Sequence, residues 1–210
     1  MVARPPPTTL PSRGALLSEH VDPADDASGG SSAVAPPHPL RTRLLLSLAA
    51  TVLVLDLVTK LVVVATIEPG EDIRTLAGLL YLTQLRNTGA AFSFAEGFTV
   101  LFTLVAAVVT VVIVRTARRL RSTDWAVALG LVLGGALGNL IDRIFRDPGF
   151  LRGGVVDFLS VFGPDGRVFP VFNVADSAIV CGGILGVLLA IRGIEFDGSR
   201  SGADERPGTA

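Results

Sequence analysis

The sequence predicts a membrane α-helical fold: four transmembrane helices with a small β-like element on the extracytoplasmic side. Three observations predict it. Half of the 210 residues are hydrophobic and only 18% are charged, against about 25% in an ordinary soluble domain. Mean hydropathy is +0.58. The apolar residues also gather into four runs, each close to the ~20 residues that cross a ~30 Å hydrocarbon core.

Residues 1–40 come first, rich in Pro, Ser, Ala and Asp, with Pro5-Pro6-Pro7 and Gly29-Gly30-Ser31-Ser32 as examples. They show no apolar periodicity and read as a disordered cytoplasmic tail. No apolar stretch follows Arg4, so no signal peptide is expected. The domain proper spans 41–192, and 193–210 reads as a second flexible cytoplasmic tail, polar and Gly-rich.

The first run extends from Leu44 to about Ile67, interrupted by Asp56 and Lys60. Those two are four residues apart, so they share one helical face. They form either an internal ion pair that lowers the insertion cost or part of a polar cavity used by substrate. The second run, Phe98–Val114, has no charge. The third is Trp125–Ile141 and the fourth Val174–Ile191. Arg41 and Arg43 precede the first run, Arg115, Arg118, Arg119 and Arg121 fill the second loop, and Arg192 follows the fourth run. The third loop carries Arg143, Arg146, Arg152 and Arg167 as well, matched by Asp142, Asp147, Asp157 and Asp165. Positive charge favours the cytoplasm, and the summed charge puts both termini inside and the first and third loops outside.

The outer loops carry the polar motifs. Leu79–Arg86, within Ile73–Phe94, alternates partially and is rich in β-formers, so with Ala90–Phe94 a small hairpin or sheet is expected at the membrane surface. Gly163-Pro164-Asp165-Gly166 is a turn signal between Val155–Phe162 and Val168–Phe172, a second extended pair. Asn87-Thr88-Gly89-Ala90-Ala91-Phe92-Ser93 reads as a turn or as a substrate-contacting loop.

Gly134-Gly135-Ala136-Leu137-Gly138 allows close helix approach. Asn139, Asp142 and Arg143 follow at i, i+3 and i+4, on one face. Asp142 lies near a helix C-terminus, where the dipole disfavours an anion by up to ~1 kcal/mol. A structural ion pair with Arg143 or a loop arginine is therefore its leading reading over catalysis. Asn173 is a good N-cap for the fourth helix, with Asp176 three residues on, so Asp176 is as readily a capping acid as a catalyst. Asp157 has the weaker structural explanation. It stands among Val155, Val156, Phe158 and Leu159, where desolvation raises a carboxyl pKa. Two carboxyls at the edge of one span, one ionised and one protonated, together activate water and polarise a peptide carbonyl.

Other chemistries find little support. With a net charge of −1, nothing suggests a nucleic-acid partner. His20 and His38 both fall in the first tail, which argues against a His-based metal site or a Ser-His triad. Cys181 is the only cysteine and sits inside an apolar run. A proton-coupled carrier using Asp56, Lys60 and Asp142 as a relay is the rival from another class, but the chain shows neither internal repeats nor interrupted runs.

The motifs Asp56-Leu57-Val58-Thr59-Lys60, Asn87–Ser93, Gly134–Arg143, Val155-Val156-Asp157-Phe158 and Phe172–Ile179 occur in that order over residues 42–192. This arrangement resembles lipoprotein signal peptidase, also called signal peptidase II. The resemblance implies an aspartyl endopeptidase of the bacterial inner membrane. Its substrates would be prolipoproteins, cut just before a cysteine carrying diacylglycerol, with membrane lipid holding the acyl chains. It places the catalytic pair on Asp157 and Asp176 and the active site on the outer face. Asn139, Asp142, Arg143, Asn173 and Asn87 become supporting residues, as do Asp56 and Lys60. The outer loop becomes a membrane-surface cradle. Leu57-Val58 departs from the more polar pair expected there. No metal or organic cofactor is implied, and a monomer is expected.

Overall fold

The computed structural model describes residues 40–88 and 95–201, with the side chains of 95–98 set aside. Most of the first tail, residues 89–94 of the expected hairpin, and 202–210 lie outside the described residues. Among the described residues, four helices are long and apolar enough to cross a membrane: α1 (Thr42–Thr66), α2 (Ala95–Thr116), α3 (Thr123–Phe145) and α4 (Val174–Ile191). Three strands, β1 (Asp72–Thr75), β2 (Leu80–Asn87) and β3 (Val155–Val161), form one antiparallel sheet in the order β1-β2-β3.

Helix α1 buries Leu45, Ala49, Val52, Asp56, Lys60 and Val63, a stripe at helical spacing, and leaves Val54, Leu55, Val58, Leu61 and Val62 exposed. Large apolar side chains on that outer surface suit hydrocarbon rather than water. Helix α3 is the central one, packed against α1, α2 and α4. Its glycines make this possible. A Cβ on Gly134 would stand 2.7 Å from the Ala49 carbonyl oxygen, and one on Gly135 would run into the carbonyl oxygen of Ala175. Without interior hydrophobic driving force in lipid, such close backbone approach supplies the packing. Gly135→Ala is expected to force α3 and α4 apart at a cost of at least ~1–3 kcal/mol. Thermal unfolding in detergent should show a Tm several degrees below that of the parent chain. An unchanged Tm would mean that α4 has room to move.

The helices run up and down. At one end the starts of α1 and α3 meet the ends of α2 and α4: the Arg41 amide donates to the Leu120 carbonyl (2.9 Å) and Thr42 Oγ1 to Ala117 O (2.6 Å). Residues 193–201 fold back over this end. The Phe196 carbonyl accepts from the Arg121 and Ser122 amides (2.8 and 3.0 Å), and Trp125 Nε1 donates to Ile194 O (2.7 Å). The Trp125 and Phe196 rings pack with centroids 4.5 Å apart. The expected flexible tail thus begins with a packed strap, for which polar, Gly-rich composition gave no signal.

The sheet sits at the other end. Alternation divides β3: Val156 and Phe158 pack with Val63 and Ile67 at the end of α1, while Val155 and Asp157 face the opposite way. Strand β2 pairs with β1, an antiparallel hairpin within the first loop, and with β3; the expected partner segment Ala90–Phe94 lies outside the described residues. The longer pairing of β2 is with the distant third loop, where Val156 and Phe158 of β3 continue the packing onto α1. The second expected pair reduces to a single bridge, Leu159 with Phe172.

Candidate active site

Strand β3 carries Asp157 opposite Leu85 of β2, two residues from Asn87, so Asn87 and Asp157 share a face of the sheet. The Asp157 carboxyl is 1% exposed. Its Oδ2 accepts from Asn87 Nδ2 (2.8 Å) and its Oδ1 from Asn173 Nδ2 (2.7 Å). Burial pushes its pKa up from 3.8 to about 7, with the Asp176 charge adding to the rise and the two asparagine hydrogen bonds and Lys60 opposing it.

Asn173 caps α4. Its side-chain oxygen accepts from the Asp176 amide (2.9 Å), and Asp176 Oδ2 accepts in return from the Asn173 amide (3.2 Å). This is a complete capping box. The cap also bridges the acids, since the same Asn173 side chain holds Asp157 by its NH2 and the Asp176 backbone by its oxygen. Asp176 is more than a cap: its Oδ1 accepts from Asn139 Nδ2 of α3 (2.8 Å). The two sequence readings of Asp176 are therefore compatible, because one oxygen caps and the other faces α3.

Behind this pair lies a buried charge cluster. Lys60 and Asp56 are both 0% exposed. Lys60 Nζ meets Asp56 Oδ2 (2.7 Å), Asp142 Oδ2 (2.9 Å) and Asn139 Oδ1 (3.0 Å). Asp56 Oδ1 accepts from the Ala175 amide (2.9 Å), the second residue of α4. Asp142 pairs with Lys60 and with Arg146 one turn on, and its Oδ2 also accepts from the Val156 amide (3.3 Å). Of the two cations that the sequence offered Asp142, the loop arginine is its partner. Arg143 instead donates from Nη1 to the carbonyls of Asn87 (2.9 Å) and Gly153 (3.1 Å), tying β2 to the end of α3.

A cavity of about 410 Å³ opens between α2, α3 and α4. Asn87, Asn139, Arg143, Asp157 and Asp176 form its polar end, and Phe102, Val105, Val109, Val132 and Ile179 its apolar wall. Asp56, Lys60, Asp142 and Asn173 do not line it. The Asp56–Lys60 pair is sealed behind the site rather than facing it. All nine site residues expected from the sequence thus fall in one connected region, five on the cavity and four behind it. The α2 wall was missed, because a run that is apolar all round marks no face. Among the described residues no group of three or more His, Cys, Asp and Glu could hold a metal.

Two carboxyls facing one cavity, each held by two amide N–H donors and Asp157 poised near neutrality, are equipped to share a proton across a bound water. Comparison with known proteins gives this arrangement a context. Residues 48–192 match the family described as signal peptidase (SPase) II. A lipoprotein signal peptidase of Rhodococcus jostii is 52% identical over 184 residues, covering 86% of this chain and 88% of that one. One from Streptomyces coelicolor is 53% identical over 159 residues, covering 76% of each chain. One from Mycobacterium tuberculosis is 50% identical over 173 residues, covering 82% of this chain and 83% of that one. A solved bacterial membrane enzyme, 30% identical, superposes with a TM-score of 0.64 over 75% of this chain and 98% of its own.

Proposed function

This chain belongs to the signal peptidase II family, and we propose from that membership and from the Asp157/Asp176 pair that it is an aspartic endopeptidase. It is a multi-pass membrane protease that processes prolipoprotein signal peptides. The bond cut is the one before the cysteine that carries diacylglycerol. The observation that carries this reading is the convergence of the two carboxyls on one cavity with an apolar wall. That wall fits an apolar signal segment or an acyl chain beside the reacting bond.

The steps balance within the pair. Asp176, held by the Asn139 and Asn173 donors, takes a proton from water as its oxygen attacks the scissile carbonyl carbon. Asp157, protonated in good part near neutral pH, gives its proton to the carbonyl oxygen. The tetrahedral intermediate then loses the C–N bond. Asp176 passes its proton to the departing amine of the lipidated cysteine, and Asp157 recovers its own, so the pair ends with the one proton it began with. Arg143 and Asn139 at the polar end of the cavity would orient the peptide.

Orientation follows from charge. Arg41, Arg43, Arg115, Arg118, Arg119, Arg121 and Arg192 gather at the end away from the carboxyl pair, which supports cytoplasmic termini and an active site on the outer face. Residues 41–192 then form the peptidase domain, flanked by cytoplasmic tails. A monomer suffices, because both carboxyls and their supports come from one chain.

The test is cleavage of a synthetic prolipoprotein peptide by purified protein. The diacylglyceryl peptide should be cut before its cysteine, and the same peptide without lipid at least ~100-fold more slowly, because remote binding energy is then lost. Equal rates on both would remove lipid-directed selection. No cleavage of the lipidated peptide by folded protein would remove the reading.

A further inference from the structure

Lys60 is buried, does not line the cavity and touches neither carboxyl of the pair, yet it meets the site through one atom. An ammonium group has three N–H donors and no acceptor. Those of Lys60 face Asp56 Oδ2, Asp142 Oδ2 and Asn139 Oδ1. The third contact fixes an orientation. Only the oxygen end of the Asn139 amide can face an ammonium, so its NH2 must point the other way, to Asp176 Oδ1 at 2.8 Å. Asn173 Nδ2 supports the same orientation from 3.2 Å. A flipped Asn139 would set NH2 against Lys60 and oxygen against the Asp176 carboxylate, which is repulsive at both ends.

We propose that Lys60 is a positioning residue: by holding the Asn139 amide in one orientation it assigns the negative charge of the pair to Asp176 and leaves the proton on Asp157. This rests on the two-carboxyl reading above. The geometry separates the two acids. Asp176 accepts from Asn139 Nδ2 and the Asn173 amide at the start of α4, which suits the member that carries charge. Asp157 also accepts from two neutral donors, Asn87 and Asn173, and is set apart by depth: it is buried where Asp176 is half-buried. The charged groups around them are Lys60 and Asp56 from α1, Asp142 and Arg143 from α3, Arg146 just after it, and Asp176 from α4. Asp56, Lys60, Asp142 and Arg146 balance as two anions and two cations. The cluster is neutral as a unit; Lys60 also acts on Asp157 by charge at a distance, opposing the rise in its pKa, and the hydrogen-bonded link from Lys60 to the pair runs through Asn139.

Lys60→Met alone would strand two buried carboxylates and risks unfolding. The double variant Asp56→Asn/Lys60→Met removes one charge of each sign. The new amide at position 56 still offers an oxygen to the Ala175 N–H, and Asp142 keeps Arg146 and the Val156 amide. The measurement is the pH profile of kcat and KM on the lipidated peptide, for the parent, the double variant and Asn139→Ala, with Asp176→Asn alongside. In the double variant kcat at neutral pH should fall about 10- to 100-fold with KM little changed, and the acid limb of the profile should move up by about one pH unit, the scale of one charge-assisted hydrogen bond. Asn139→Ala should move the same limb in the same direction. An acid limb that stays in place while activity is scaled down at every pH overturns the positioning role. Turnover retained by Asp176→Asn overturns instead the two-carboxyl reading on which it rests.

Discussion

Asp176→Asn should lower turnover of the lipidated peptide by at least ~10³-fold while leaving a folded protein. The size follows from the role: general acid–base groups supply roughly 10²–10⁴ in rate, and an amide takes no proton from water at neutral pH. The fold should survive because half of the capping box does not involve the charge. Asn173 Oδ1 still accepts from the residue 176 amide. The two carboxylate oxygens of Asp176 both accept, from Asn139 Nδ2 and from the Asn173 amide, and the substituted amide has only one oxygen for two donors. One donor is left facing NH2, which costs about 1–2 kcal/mol. The expected observation is a Tm lowered by a few degrees with activity lost out of proportion. Collapse of both together would make Asp176 a capping residue only, and near-normal turnover would exclude it as the base.

Only part of this site was legible in the sequence. The four spans were, because hydrophobic length is a local property, and α1, α3 and α4 start and stop close to the apolar runs that announced them. The site residues were legible as motifs, since asparagines and aspartates at the edges of apolar runs have few reasons to be there. Their division into cavity wall and buried support was not. Periodicity puts Asp56 and Lys60 on one face of α1 but does not say which helix that face meets. The answer is α3, because Gly134 and Gly138 bring its backbone against Val52 and the Asp56 carboxylate. That rotation seals Lys60 from the cavity and turns a candidate substrate contact into a support for Asn139.

The sheet was legible in part. Strand pairing depends on which faces are buried together, and besides β1 close by, β2 finds a second partner some seventy residues away, as the Asn87–Asp157 hydrogen bond records. A hairpin within the first loop is the cheapest local pairing, and β1 with β2 forms one. Local reasoning leaves out β3, whose Val156 and Phe158 cover Val63 and Ile67 while Asp157 meets Asn87. That alternation delivers Asp157 to the cavity.

Asp157→Asn is expected to match Asp176→Asn in lost turnover, at least ~10³-fold, but to differ in how stability responds to pH. Asp157 in the folded chain has its pKa raised from 3.8 to about 7. The folded state therefore holds this proton more tightly than the unfolded state does. That contribution to stability is fully present below pH ~4 and is lost as pH rises through about 7. At 1.36 kcal/mol for each unit the loss is on the order of a few kcal/mol, less whatever the site relaxes on ionising. The substituted amide is neutral at every pH and carries no such dependence. The parent Tm should thus fall between pH 5 and pH 8, with the Asp157→Asn Tm changing distinctly less. Parent kcat/KM should fall on the alkaline side of the same titration, approaching tenfold per pH unit. If both proteins lose Tm in parallel, the ionisation belongs to another group and Asp157 is not the carboxyl that holds the proton. If Asp157→Asn keeps its turnover, the pair is not the catalyst.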